Sequence, residues 1–163
     1  MDNLFFNEKI DISFCLPVFN VEKYLKECIK SIVSQCQDNI SYEILCIDDN
    51  STDNSYHTLK DLQNNYPHII LYKNEENKGV SYTRNRLISL AKGKYIWFVD
   101  PDDMLYPNVV KLLYDEIEKN NENVILGNYI NCDEDAKYEE FETIHNYYYE
   151  VITMEKVMLH RVH

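Results

Sequence analysis

Glycine and proline are scarce, with 3 Gly and 4 Pro in 163 residues. That excludes Gly/Pro-rich low-complexity segments and makes each of these residues informative punctuation. Gly79, Gly93, Pro17, Pro101 and Pro107 all fall near predicted strand or helix ends. Basic residues are few as well: 16 Lys and Arg stand against 28 Asp and Glu, a formal net charge of -12. A nucleic-acid-binding surface, which needs clustered cations to neutralise phosphates, is therefore not expected. A phosphorylated small molecule remains open, because a metal can supply the local positive charge. Most of the carboxylates read as solvated surface. No apolar run reaches roughly 18 residues, so no membrane span is coded. The start, Met1 to Glu8, lacks the basic and apolar regions of a secretory signal. The cysteines Cys15, Cys28, Cys36, Cys46 and Cys132 form no C-x-x-C pair. Reduced, buried thiols in a cytoplasmic protein are expected, and a zinc site is not.

What is present is a globular composition, 45% apolar and 27% charged, sized for one domain. Short apolar runs alternate with amphipathic segments. Ile12 to Val18, Tyr42 to Ile47, His68 to Tyr72, Tyr95 to Val99 and Asn123 to Tyr129 read as strands. Leu25, Cys28, Ile29, Ile32 and Val33 keep helical spacing, with Asn20 as cap and Glu22 in the first turn. Leu59, Leu62 and Tyr66 mark a short helix. Another runs from Val80 to Lys92 and is closed by Gly93. Pro107 suits the first turn of a further helix through Val109, Val110, Leu112, Leu113 and Ile117. After Cys132 the pattern weakens. Asp133 to Glu142 reads as a loop or hairpin and Thr153 to His160 as the start of a helix. Alternating strands and helices predict a mostly parallel sheet with right-handed crossovers. In such sheets ligands bind beyond the carboxyl ends of the strands, where Asp48-Asp49 and Asp100 to Asp103 would share one rim.

Three constellations carry chemistry. The carboxylates of Asp100-Pro101-Asp102-Asp103 can turn oxygens towards one hard cation, Mg²⁺ or Mn²⁺, which would relieve their mutual repulsion. A solvated turn that caps the next helix fits the same spacing. In Asp48-Asp49-Asn50-Ser51-Thr52-Asp53, Asp53 reads as a cap, and Asp49 either shapes the turn or accepts a hydrogen bond from a base ring N–H. In Asn77-Lys78-Gly79-Val80-Ser81-Tyr82-Thr83-Arg84-Asn85, a glycine precedes a helix whose N-terminus favours anions. Arg84 can fork onto a phosphate or hold a rim carboxylate, and a purely structural ion pair fits equally well.

The order of these motifs adds a resemblance. Pro17-Val18-Phe19-Asn20, then Tyr24-Leu25 with Cys28, Asp48 to Asp53, Asn77-Lys78-Gly79 with Arg84-Asn85, and Gly93-Lys94-Tyr95-Ile96 leading into Asp100 to Asp103 resemble family 2 glycosyltransferases over roughly residues 10 to 130. The resemblance implies an inverting enzyme with the GT-A fold, a three-layer α/β/α sandwich around a mostly parallel sheet. It implies a nucleotide-diphospho-sugar donor, most simply a UDP-sugar, and a divalent metal, Mn²⁺ or Mg²⁺. It also implies a glycan or lipid-linked acceptor in bacterial cell-surface polysaccharide synthesis. Residue by residue, Pro17 and Phe19 would line the base pocket and Asp49 would read the uracil edge. Asn77 and Arg84 would contact the nucleotide or donor sugar. Asp100 would face the ribose or sugar, Asp102 would ligate the metal, and Asp103 would support the loop. His57, His68, His145, His160 and His163 match no motif position and read as surface or packing residues.

An inverting transfer also needs a general base, which in the resembled family lies well after the metal motif. Asp133, Asp135 and Glu139 do not resemble that base motif, so no catalytic residue is assigned. The chain stops at His163, before the expected region, and reads as a single GT-A domain over residues 1–163 cut short of its acceptor side. A non-catalytic nucleotide-sugar-binding module is therefore the alternative. A sugar nucleotidyltransferase would carry a Gly-rich phosphate loop after the first strand. A phosphorylation receiver would carry an acidic pair there, where this chain has Pro17-Val18-Phe19-Asn20. Peripheral association with the inner face of the plasma membrane stays open, because related enzymes act on lipid-linked acceptors.

Overall fold

The computed structural model describes residues 9–36, 40–120, 125–127 and 149–151, and the chain divides into two compact units, residues 1–105 and 106–163. In the first, the apolar runs pair as a four-stranded parallel sheet. Its strands are β1 (Ile12–Val18), β2 (Tyr42–Asp48), β3 (Ile69–Lys73) and β4 (Tyr95–Phe98), in the order β3-β2-β1-β4. Helices α1 (Leu25–Val33), α2 (Ser55–Asn65) and α3 (Val80–Leu90) flank it. The two central strands are almost continuously apolar because both of their faces are covered. Leu87 of α3 packs into a core with Cys15, Leu45 and Ile47, and Ile70, Tyr72 and Leu90 close around it. Burying each such aliphatic side chain contributes about 1.5–3 kcal/mol. On β4 the pattern alternates instead, leaving Ile96 and Phe98 exposed, as on a strand with one covered face.

Two predicted helix boundaries need correction. Gly93 does not close α3, which ends at Leu90 with Ala91 in an extended conformation. A Cβ on Gly93 would lie 2.5 Å from the Ser13 backbone nitrogen, so the residue is a contact point rather than a helix stop. Its N–H donates to Ser13 Oγ at 2.8 Å, and Ser13 Oγ donates to buried Glu43 Oε1 at 2.6 Å. The Lys92 N–H donates to the same carboxylate oxygen at 2.8 Å. This network ties the end of α3 to the N-terminal side of β1 and β2. Pro107 likewise precedes its helix: α4 (Val109–Asn120) starts after Asn108, whose φ is 64°.

In the second unit, Lys111 pairs with Asp115 at 2.6 Å along α4. Strand β5 (Ile125–Gly127) pairs antiparallel with β6 (Tyr149–Val151), a strand the sequence reading did not anticipate. The readings at Cys132, Asp133 to Glu142 and Thr153 to His160 lie outside the described residues. No helix among the described residues is long and apolar enough to cross a membrane.

Gly93→Ala is expected to cost about 1–3 kcal/mol through overpacking against the β1 backbone, read as a lower urea midpoint with an unchanged m-value.

Candidate functional site

All the strand ends that matter lie on one rim. Two loops there, after β1 and after β2, are stitched by hydrogen bonds between residues about thirty positions apart. The Asn20 N–H donates to Ser51 Oγ at 3.0 Å and the Thr52 N–H donates to Asn20 Oδ1 at 2.8 Å. The Val21 N–H donates to Ser55 Oγ at 2.9 Å, the Glu22 N–H to Asp53 Oδ2 at 3.1 Å, and the Asn54 N–H to Glu22 Oε2 at 3.0 Å. This corrects the cap assignments. Asn20 has φ 53° and does not cap α1, which begins at Leu25 behind Tyr24 with no side-chain cap. Glu22 lies before the helix. Asp53 does take a free donor at the start of α2, the Ser55 N–H at 2.9 Å, although Asn54 holds the cap position. Burial opposes ionisation of Asp53, but its bonds from Ser55 and from the Glu22 N–H hold the carboxyl below its usual range.

Asp49 follows β2 and is buried, with 3% of its surface exposed. Its Oδ1 accepts from Asn74 Nδ2 at 2.6 Å and from the Lys78 N–H at 2.9 Å, and its Oδ2 accepts from the Gly79 N–H at 2.7 Å. Asn74 Nδ2 also donates to Thr83 Oγ1 at 3.2 Å. Gly79 has φ 83° and ψ 161°, a backbone region open essentially to glycine alone. Of the two reasons for a glycine before α3, an unusual backbone angle or a close ligand approach, the angle is observed. Two N–H groups leading into that helix already bond to a protein carboxylate, so the expected anion preference of this N-terminus is met in part internally.

A cleft of about 250 Å³ opens on this rim, and Pro17, Phe19, Asp49, Asn77, Asp100 and Asp102 line it, with Gly79 and Thr83 at its wall. Phe19 presents an exposed ring. Arg84 is not part of the lining but donates to Asp100 Oδ1 at 2.7 Å, so of its readings an ion pair with a rim carboxylate is the one observed. Asn77 Oδ1 accepts from the Gly79 N–H at 3.0 Å, an Asx-type turn. All seven sequence-selected residues therefore meet at one place, six in the lining and Arg84 behind Asp100. Among the histidines, His68 stacks on Tyr42 at 4.5 Å and His57 lies against Tyr56, away from the lining. Burial, then Glu43, pushes the buried Cys15 thiol up to about 12, and partial burial does the same to the half-buried Cys36, which favours the protonated thiol at both.

The donor set suits a hard cation shared with a ligand. Asp102 and Asp103 are exposed carboxylates. Desolvation, then the charges of Asp102 and Asp100, raises the Asp103 carboxyl, the repulsion that a cation would relieve. Among the described residues no three acidic, His or Cys side chains converge as a closed cage. A cation here would take one or two carboxylate oxygens and complete its shell from phosphates and water, the habit of Mg²⁺ at phosphate sites.

Sequence reasoning missed Asn74 and Thr83, which support Asp49, and Ser31, a buried hydroxyl on the apolar face of α1. A serine between Cys28 and Ile32 on that face was the available signal.

Burial opposes ionisation of Asp49, yet its hydrogen bonds from Lys78, Asn74 and Gly79 lower the carboxyl below its usual value. The unfolded chain then binds the proton more readily, so this contribution is complete above about pH 4 and fades as pH falls through the folded value. Asp49→Asn is expected to destabilise by about 1–3 kcal/mol at pH 7, because a buried N–H loses its acceptor. Urea unfolding should show the gap to wild type narrowing at pH 3.

Residues 13–159 match the family model described as "Glycosyl transferase family 2". The chain is 36% identical over 151 residues to glycosyltransferase GlyG of Streptococcus pneumoniae, covering 90% of this chain and 48% of GlyG. It is 36% identical over 117 residues to a poly(ribitol-phosphate) beta-glucosyltransferase of Bacillus spizizenii, covering 71% of this chain and 18% of that protein. The chain thus spans about half or less of the relatives it matches. The crystal structure of S. aureus TarS 1-349 in complex with UDP superposes with a TM-score of 0.63 at 26% identity, over 69% of this chain and 33% of that one. The parallel sheet with its flanking helices is accordingly the GT-A architecture, and the chain belongs to glycosyl transferase family 2.

Proposed function

We propose that this chain is the donor-binding part of an inverting, metal-dependent glycosyltransferase domain that uses a UDP-sugar. The observation that carries the reading is the convergence of Phe19, Asp49, Asp100 and Asp102 on one rim cleft. Pro17 and Phe19 line the base end, where the ring stacks on a planar base. Asp49 is fixed by protein donors, and as a carboxylate in the lining it accepts from a uracil ring N–H. Asn77 and Arg84 attend the nucleotide and donor sugar, Arg84 by steadying Asp100, which faces the ribose or sugar. Asp102 ligates the divalent cation, Mn²⁺ or Mg²⁺. When bound, that cation supplies charge stabilisation to the departing diphosphate. The cleft walls hold the donor in one orientation so that the anomeric carbon faces the acceptor. The UDP bound to TarS supports a UDP-sugar donor, and the name of the poly(ribitol-phosphate) beta-glucosyltransferase supports a cell-surface polymer as the acceptor.

Calorimetry with UDP tests the reading. Wild type is expected to bind UDP more tightly with Mn²⁺ than without it, and Asp102→Ala is expected to lose about tenfold or more of the metal-dependent gain. Equal binding by both proteins, or no binding by folded wild type, counts against the site as drawn.

A further inference from the structure

The loop Asp100 to Leu105 carries Asp100 and Asp102 of the cleft lining, with Asp103 beside them, and one short stretch of α1 holds it at both ends. It opens with a tight turn, in which the Asp103 N–H donates to Asp100 O at 2.9 Å. Pro101 occupies the second position of that turn, where its fixed φ is preorganised. Asp100 O also accepts a weak bond from Cys28 Sγ at 3.9 Å. At the far end, the Leu105 N–H donates to Ser31 Oγ at 2.9 Å, and Gln35 Nε2 reaches Leu105 O at 3.4 Å. Ser31 Oγ donates its own proton to Cys28 O at 2.7 Å, and Gln35 Nε2 also donates to Ser31 O at 2.7 Å.

Cys28 and Ser31 share one helix face, and Gln35 continues it just past the end of α1. Both Cys28 and Ser31 are fully buried. The Ser31 hydroxyl has one proton to give, and that proton is engaged with Cys28 O. Its orientation is thereby set and a lone pair is left facing the Leu105 N–H. Between the two anchors sit carboxylates of like charge that repel one another, a force that opens a free loop.

We propose that Ser31, with Cys28 and Gln35, is a positioning residue that clamps the backbone of the acidic loop so that Asp102 meets the donor-bound cation in a fixed place. The proposal rests on the assignment of Asp102 to the metal. It predicts that loss of the clamp weakens the metal-dependent part of nucleotide binding and spares the metal-independent part, which the Phe19 and Asp49 side of the cleft provides. Alanine is a better helix former than serine, so Ser31→Ala leaves α1 itself intact and removes only the hydroxyl.

The experiment compares UDP affinity with and without Mn²⁺ for wild type, Ser31→Ala and Gln35→Ala, with thermal unfolding of each as the control for folding. The expected result is a wild-type gain from Mn²⁺ that falls about tenfold or more in Ser31→Ala and in the same direction in Gln35→Ala, with metal-free UDP affinity unchanged. A Ser31→Ala protein that keeps the full gain overturns the clamp. So does an equal loss with and without metal, which marks general loosening. A wild type with no gain from Mn²⁺ overturns instead the metal assignment of Asp102 on which the clamp rests. If Ser31→Ala does not fold, the half-buried Gln35→Ala carries the same comparison.

Discussion

A carboxylate removed from water loses several kcal/mol of hydration unless donors replace the solvent. At Asp49 the replacement comes from the Asn74 amide and from two consecutive backbone N–H groups, Lys78 and Gly79. This one exchange sets the geometry of the rim. It fixes the turn before α3, draws Gly79 into a conformation few residues tolerate, and fastens the end of β2 to the segment after β3. Because Arg84 stands on α3, the same anchoring fixes where its guanidinium meets Asp100. The cleft is therefore assembled around a buried charge, and the groups exposed in it take their places from that charge.

The opposite end of the sheet follows another logic. There Ser13, Glu43, Lys92 and Gly93 interlock over contacts too tight for a side chain on Gly93. The polar groups there serve the fit of backbone to backbone. The division matches the general habit of parallel sheets, with ligands beyond the carboxyl ends of the strands and structural packing at the amino ends.

Much of this was legible in the sequence because it depends on local pattern. The strands at Ile12, Tyr42, Ile69 and Tyr95 announce themselves as apolar runs, and the placing of Asp48-Asp49 and Asp100 on one rim follows from strand ends alone. What was not legible depends on partners distant in sequence. Asn20 looks like the cap of the helix that follows and Glu22 like a residue of its first turn, but their side chains cross to Thr52 and Asn54 on a neighbouring loop. Gly93 looks like a helix stop because its spacing suits one, whereas its reason for being glycine lies about eighty residues earlier, at Ser13. Asp49 sits in a polar loop, and its enclosure comes from Asn74, Lys78 and Gly79, far from it in sequence. The β6 strand is three residues long, too short for its alternation to register.

The scarcity of glycine has a last consequence at the rim. Two of its tight bends use asparagine in the left-handed conformation, Asn20 at φ 53° and Asn50 at φ 59°. Asparagine tolerates that region because its short polar side chain can bond locally. Unlike glycine, it has a side chain to anchor, and at Asn20 that side chain holds Thr52. It also leaves the unfolded chain less freedom to surrender on folding. Bends made this way are stiffer, so the walls of the cleft stand in place before any ligand arrives, and less ordering is left for binding to accomplish.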